Sequence, residues 1–294
     1  MIRNAVMDIL QQGSVTILAF AGTVTKLRVM LRDPNVDLNK VVEIVKLDPG
    51  LASRYLRPVV GDAKSFKKTT SSLRDALEAA GMAGVRREAA SIAVIECQKG
   101  LGVKVNWEMF WLHSVLAARL AETIAKAYRP TTGREYLAGL LHDAGKAFLG
   151  HYFSREFESV MTQAATRACG MHDLETQALG ITHAEISAIL CEKWNLHREI
   201  VRAVRFHHDP ASPFNRDQAN AEEEKFLAGC VCFSDALANV CKVNIQGAPD
   251  FSGQAVEALP GWAVLRSFKT VQPLELDVRL ELELAQKAVE ATRT

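Results

Sequence analysis

Between residues 107 and 128 the apolar side chains Trp107, Phe110, Trp111, Val115, Leu116, Leu120 and Ile124 recur every three or four positions, a spacing that only a helix turns toward one side. Much of the chain repeats this signature. Residues 2 to 12 read as a short amphipathic helix and Val24 to Leu31 as a second, ended by the turn signal Asp33-Pro34-Asn35. Val36 to Lys46 places Leu38, Val41, Val42 and Val45 on one face, and Asp48-Pro49 then supplies an N-cap and a first-turn proline. Ser71 or Ser72 caps Leu73 to Ala80, Gly81 closes it, and another helix is expected from Val85 to Gln98. The long helix ends at Thr131-Thr132-Gly133, and Phe148 to Ala168 reads as one helix or two with a break near Ser154. Thr182 and Glu185 form a capping box, starting a helix that continues to Trp194. Arg198 to His208 stops before Asp209-Pro210, and Ala221 to Lys242 is a strongly apolar helix. The tail offers Trp262 to Phe268, a break at Pro273 and a charged helix from Leu276 to Ala291 whose Glu281 and Glu283 suggest a solvated face. Strand signals are confined to Val103–Val105 and Val243–Ile245, short and isolated, so the expected class is all-α.

With 294 residues, 48% of them hydrophobic, the chain has ample material for a core. A net charge of +1, without a basic block or an acidic tail, gives no footprint for nucleic acid as a partner. Ala19-Phe20-Ala21 looks like the end of a signal peptide, but Asp8 beside Arg3 and the surrounding Thr and Gly argue against secretion. The run Phe226 to Phe233 is far too short to span a bilayer, so no membrane segment is expected. Six cysteines without a C-x-x-C pair read as packed thiols in a reducing compartment, which makes a cytoplasmic location the default.

Gly139-Leu140-Leu141-His142-Asp143-Ala144-Gly145-Lys146 carries the densest chemistry. An adjacent imidazole and carboxylate are the N/O donors that divalent transition metals accept, and a lysine one turn later can hold a phosphate. Read alone, the pair is also a hydrogen-bonded helix end. His113 beside its apolar stripe reads equally as a satisfied core imidazole, and His207-His208 as favourable charges at a helix C-terminus. Asp235, set within an apolar helix, needs a metal, an arginine or a histidine, because an isolated buried charge is prohibitively costly.

Taken together, the order His113, His142-Asp143, His183, His207-His208, Asp235 resembles the H…HD…H…HH…D ligand order of the HD phosphohydrolase superfamily, particularly its HD-GYP phosphodiesterases. It absorbs His113, His142, His183, His207 and His208 out of eight histidines. The stretches Leu31-Arg32-Asp33-Pro34-Asn35-Val36, Ile44 to Leu56, Phe110-Trp111-Leu112-His113-Ser114 and Ala138 to Asp143, with His183-Ala184-Glu185, resemble HDOD, the HD-related output domain of bacterial signalling proteins. The likeness covers about residues 10 to 215 and extends loosely to Asp235. Val15 to Ala19 and Val59 to Ala63 depart from the Leu-Pro and Asn-Ser elements usual there, and Asp209-Pro210-Ala211-Ser212-Pro213 stands where the phosphodiesterases carry Gly-Tyr-Pro.

The resemblance implies a multi-helix HD-like bundle, with an N-terminal helical subdomain over residues 1–105, the metal-site subdomain over 106–245 and a helical extension over 246–294. It implies two divalent transition ions (Fe, Mn, Zn or Ni), with Asp143 bridging, His113, His142 and Asp235 on one and His183, His207 and His208 on the other. Such a bridge would set the ions about 3.5 to 4 Å apart, suited to activating water and clamping phosphate oxygens, with Lys146 offsetting phosphate charge. The expected activity is phosphoester hydrolysis on a phosphoester or nucleotide ligand. The alternative is a non-catalytic output or scaffold module that keeps the site for binding. Either reading expects a signalling partner acting in trans, and neither fixes the oligomeric state.

Overall fold

The computed structural model describes residues 2–11, 15, 17–57, 69–92, 105–167, 170–211, 220–241, 256–274 and 276–291. The strand candidates Val103–Val105 and Val243–Ile245 fall wholly or mostly outside them, as do Cys97 and Cys169. Among the described residues the only β pairing is an isolated parallel bridge between Thr70 and Leu196, and everything regular is helical.

The helices are α1 (Ile2–Gln11), α2 (Ala21–Met30), α3 (Leu38–Val45), α4 (Pro49–Leu56), α5 (Leu73–Ser91), α6 (Trp107–Lys126), α7 (Arg134–Leu141), α8 (Ala144–Tyr152), α9 (Ser154–Arg167), α10 (Met171–Leu179), α11 (His183–Lys193), α12 (Arg198–Arg205), α13 (Ala221–Val240), α14 (Trp262–Leu265) and α15 (Val278–Glu290). Their starts follow the capping chemistry. The Asp37, Asp48, Ser72, Asn106, Thr182 and Asp277 side chains each accept a backbone N–H of the helix they precede, and Ser72 and Thr182 form full capping boxes. Gly81 breaks α5 where expected, at φ +62° and ψ 165°, but the helix resumes beyond it. The break near Ser154 is real and separates α8 from α9.

Two expectations are corrected. The helix read through His208 ends at Arg205, with Phe206 out of helical geometry at φ −110° and ψ 18°, so both histidines stand in the turn that follows. Glu281 does not face solvent: it accepts Arg119 Nε at 2.8 Å and Thr123 Oγ1 at 3.0 Å, which seats α15 on α6. Glu283, the other residue of that face, is open to water.

α6 is the central strut, packed by α7, α13 and α15, while α11 bridges α8 and α12. One apolar cluster runs from Val6 in α1 to Val289 in α15. The N-terminal helices are joined to the rest by polar bolts as well. The deeply buried Asp48 carboxylate takes hydrogen bonds from Phe20 N (2.6 Å), the Thr23 hydroxyl (2.5 Å), Leu51 N (3.0 Å) and, from α6, Trp111 Nε1 (3.1 Å). Tyr136 donates its hydroxyl to the Lys46 carbonyl at 3.1 Å, and Thr70 exchanges backbone bonds with Asn195 and His197. The cysteines Cys191, Cys230, Cys232 and Cys241 are free and buried, with burial pushing their thiols up and away from reactivity. No helix among the described residues is long and apolar enough to cross a membrane.

Candidate metal centre

The His142-Asp143 pair sits at the break between α7 and α8, with His142 closing one helix and Asp143 (φ −99°, ψ 10°) opening the next. Two glycines make this corner. A Cβ on Gly139 would lie 2.7 Å from the Ala118 Cα, so its absence lets α7 lie against α6, which carries His113. A Cβ on Gly145 would lie 2.1 Å from the His183 carbonyl oxygen, so the start of α8 can meet the start of α11. An aspartate before a helix usually caps it, but Asp143 makes no such bond. Ser187 of α11 accepts the Gly145 N–H at 2.7 Å instead, leaving the Asp143 carboxylate to face inward.

Around that carboxylate the chain gathers every residue singled out in the sequence. Asp143 Oδ2 is 2.7 Å from Lys146 Nζ, 3.4 Å from His142 Nε2 and 3.6 Å from His113 Nε2, and Oδ1 is 3.3 Å from His183 Nε2 and 4.0 Å from His207 Nε2. Asp235 Oδ1 approaches His113 Nε2 at 3.2 Å and His142 Nε2 at 3.6 Å, steadied by Asn239 Nδ2 at 2.7 Å one turn along α13. His208 Nε2 lies 2.9 Å from His183 Nε2. Three overlapping triads have ligand atoms close enough to share an ion: His113, His142 and Asp143; His142, His207 and Asp235; His183, His207 and His208. All of these residues are buried except His208, which opens to solvent.

The hydrogen bonds choose the tautomers. His142 Nδ1 meets the Gly139 carbonyl and His207 Nδ1 the Val204 carbonyl, each at 2.7 Å. A carbonyl only accepts, so both Nδ1 atoms carry the proton and both Nε2 lone pairs face the cluster when the rings are neutral. His183 Nδ1 is likewise held, 2.6 Å from Glu175 Oε2. Two buried atoms inside the cluster, Asp143 Oδ1 and His207 Nε2, have no hydrogen-bond partner. Such orphans are costly in a protein interior.

Charge is arranged to match. Burial opposes a proton on His142, but the Asp143 and Asp235 carboxylates outweigh it and raise the imidazole to about 10. Burial would also raise Asp143 and Asp235, yet the surrounding imidazoles, with Lys146 beside Asp143, draw both well below the usual carboxylate range. Burial, reinforced by its histidine neighbours, pushes His207 well down and keeps it neutral. Lys146 therefore balances part of the carboxylate charge, and in metal-free protein the proton on the raised His142 imidazole balances the rest. A divalent ion would take that proton's place. The Nε2–Nε2 separations of 3.2 Å (His113 to His142) and 2.9 Å (His183 to His208) also match the roughly 3 Å between adjacent nitrogens that each lie about 2.1 Å from one ion. The residues present thus fit a bound metal.

Sequence reasoning missed three contributors. Glu175 of α10 is fully buried against His183, and Ser187 and Asn239 hold Gly145 and Asp235. Asn239 alone had a local signal, lying four residues beyond an aspartate on one helix. The Lys146 ammonium is paired with the Asp143 carboxylate at 2.7 Å, three residues along.

Comparison with known proteins places these features in a lineage. The chain is similar to an uncharacterized protein of Treponema pallidum (strain Nichols), 25% identical over 208 residues, which are 70% of this chain and 39% of that protein, so it spans well under half of that relative. Its fold is similar to the MmoQ response regulator of Methylococcus capsulatus str. Bath, with TM-score 0.64, 16% identity and coverage of 94% of this chain and 97% of that one. It is also similar to an HDOD domain protein with unknown function from Geobacter sulfurreducens, with TM-score 0.53, 24% identity and coverage of 99% and 96%. The HDOD domain model matches residues 17–210, which take in α2 to α5 and the His-Asp corner, and the chain belongs to the HDOD domain family.

Proposed function

We propose that the cluster is a dinuclear metal centre and that the chain is a bacterial signalling protein with metal-dependent phosphohydrolase activity toward a phosphoester or nucleotide. The observation that carries this reading is the pair of orphaned buried atoms, Asp143 Oδ1 and His207 Nε2, aimed into a cluster in which His142, His183 and His207 are pinned through Nδ1. His113, His142 and Asp235 would hold one ion, His183, His207 and His208 the other, and Asp143 would serve both. An imidazole-rich set favours Fe, Mn, Zn or Ni over Ca. When bound, such ions supply Lewis acidity toward a phosphoryl oxygen and an activated water at neutral pH. The residues do the rest: Nδ1 anchoring keeps His142, His183 and His207 oriented, the apolar surround excludes bulk water, and Lys146, held beside Asp143, would offset charge on a phosphate.

The test is the metal content of the purified chain, followed by hydrolysis of bis(p-nitrophenyl) phosphate with added Mn²⁺ or Fe²⁺. Two equivalents of metal and turnover are expected, both lost in His142→Ala and Asp143→Ala. Absence of metal and of turnover, with both variants as stable as the parent, would refute the reading. One observation favours a second reading, an output module that binds metal without turnover: only His208 among the ligands is open to solvent, which leaves a narrow approach for substrate. Stoichiometric metal without hydrolysis would select it.

A further inference from the structure

Glu175 lies outside the ligand order. It is fully buried on α10, and a single oxygen, Oε2, receives both the backbone N–H of His183 at 2.7 Å and the ring Nδ1 at 2.6 Å. The two bonds fix different things. The backbone bond occupies a first-turn N–H of α11 that no earlier carbonyl can reach, so it anchors where the helix begins. The ring bond sets the Nδ1–H tautomer and leaves Nε2 facing Asp143 Oδ1 and His208. His142 and His207 are anchored on main-chain carbonyls of their own helices, three residues back. For His183 those positions lie before the helix, and a carboxylate from another helix takes their place.

We propose that Glu175 is a positioning residue for one of the two ions, the one held by His183, His207 and His208. Its carboxylate orients His183 and makes its Nε2 a stronger donor, as carboxylate–histidine pairs do behind metal ligands. This inference rests on the dinuclear reading above. Its signature is asymmetry: loss of Glu175 weakens one ion and spares the other, because both of its hydrogen bonds go to His183, whereas His142 is anchored on Gly139 and Asp235 on Asn239.

The experiment titrates chelator-stripped full-length protein with Mn²⁺ and with Zn²⁺ and counts bound metal, for the parent, Glu175→Ala and Glu175→Gln, with thermal unfolding of the metal-free forms alongside. The parent is expected to bind two ions. Glu175→Ala should keep one at parental affinity and bind the second about 10- to 100-fold more weakly. Glu175→Gln, which retains an acceptor for the His183 N–H but not the charge, should fold like the parent and fall between. If Glu175→Gln folds and binds both ions with parental affinity, the positioning role is overturned while the dinuclear reading stands. If the parent itself binds no metal, both fall. Equal weakening of both ions would also overturn the proposal, since it would mark a general loss of structure.

Discussion

Asp48 and Asp143 are both buried carboxylates at the N-cap of a helix, and their surroundings are opposites. Asp48 is closed: two backbone N–H groups, a hydroxyl and an indole N–H converge on it from α2, α4 and α6. Asp143 is open: it caps nothing, one oxygen has no hydrogen-bond partner, and its neighbours are imidazoles and one ammonium. A carboxylate saturated by fixed donors has no capacity for another ligand and holds helices together. One faced by groups that can change protonation is built to exchange its partner. The difference separates a structural bolt from a site without appeal to position in the sequence.

The largest expected effect tests the bolt. Asp48→Ala strands the Leu51 N–H of α4, the Phe20 N–H before α2 and the Trp111 indole N–H of α6, and should cost about 3 to 5 kcal/mol in urea unfolding. Asp143→Ala in metal-free protein should cost no more than about 2 kcal/mol, since Lys146 can turn to water and the histidines can shed protons. Equal costs would erase the contrast.

Next comes metal. A saturating ion at 100 to 1,000 times its dissociation constant should stabilise the parent by about 2.7 to 4 kcal/mol, reversed by chelator. Asp48→Asn should keep that increment on a weakened background, and Asp143→Ala should lose it. An increment surviving in Asp143→Ala would move the ion elsewhere.

The corner that presents Asp143 depends on close backbone approach. Gly145→Ala puts a methyl 2.1 Å from the His183 carbonyl oxygen, which is main chain and cannot rotate aside. Prying α8 from α11 should cost about 1 to 3 kcal/mol and weaken metal binding together with it, measured by unfolding and titration on one preparation. A stability loss without any metal effect would mean that the corner does not set the ligand geometry.

These contrasts also show what the sequence could and could not reveal. Asp48 was legible as an N-cap because the cap is local, but its ties to Phe20 and Trp111 span 28 and 63 positions and leave no periodic trace. The ligand residues were legible as a set only through the order they share with the HD superfamily; taken singly, Asp235 in an apolar helix was the anomaly, while His113 and the His207-His208 pair each had an ordinary structural reading. Glu175 is the reverse case. A glutamate on a short polar helix is the ordinary pattern of a solvated face, and only the fold turns it onto His183. Glu281 misled for the same reason, because Arg119 reaches it across 162 positions. The end of α12 was misplaced by three residues, since Pro210 sets a latest stop and not the actual one.

The smallest expected effect is the pH slope, and it distinguishes the open site by sign. In metal-free protein the His142 imidazole is raised from 6.5 to about 10, with burial outweighed by Asp143 and then Asp235. A raised folded value means that its stabilising contribution is complete below pH 6.5 and is lost as pH climbs toward 10. Metal-free stability should therefore fall between pH 7 and 8.5, by at most about 1.4 kcal/mol per pH unit for one proton. With Zn²⁺ or Mn²⁺ present the ion must displace that same proton, so binding tightens as pH rises and the fall should flatten or invert. Urea unfolding at pH 7, 7.5, 8 and 8.5 with chelator and with metal reads both slopes. Identical slopes would show that ion and proton do not compete for His142, and the open carboxylate would then be merely unsatisfied.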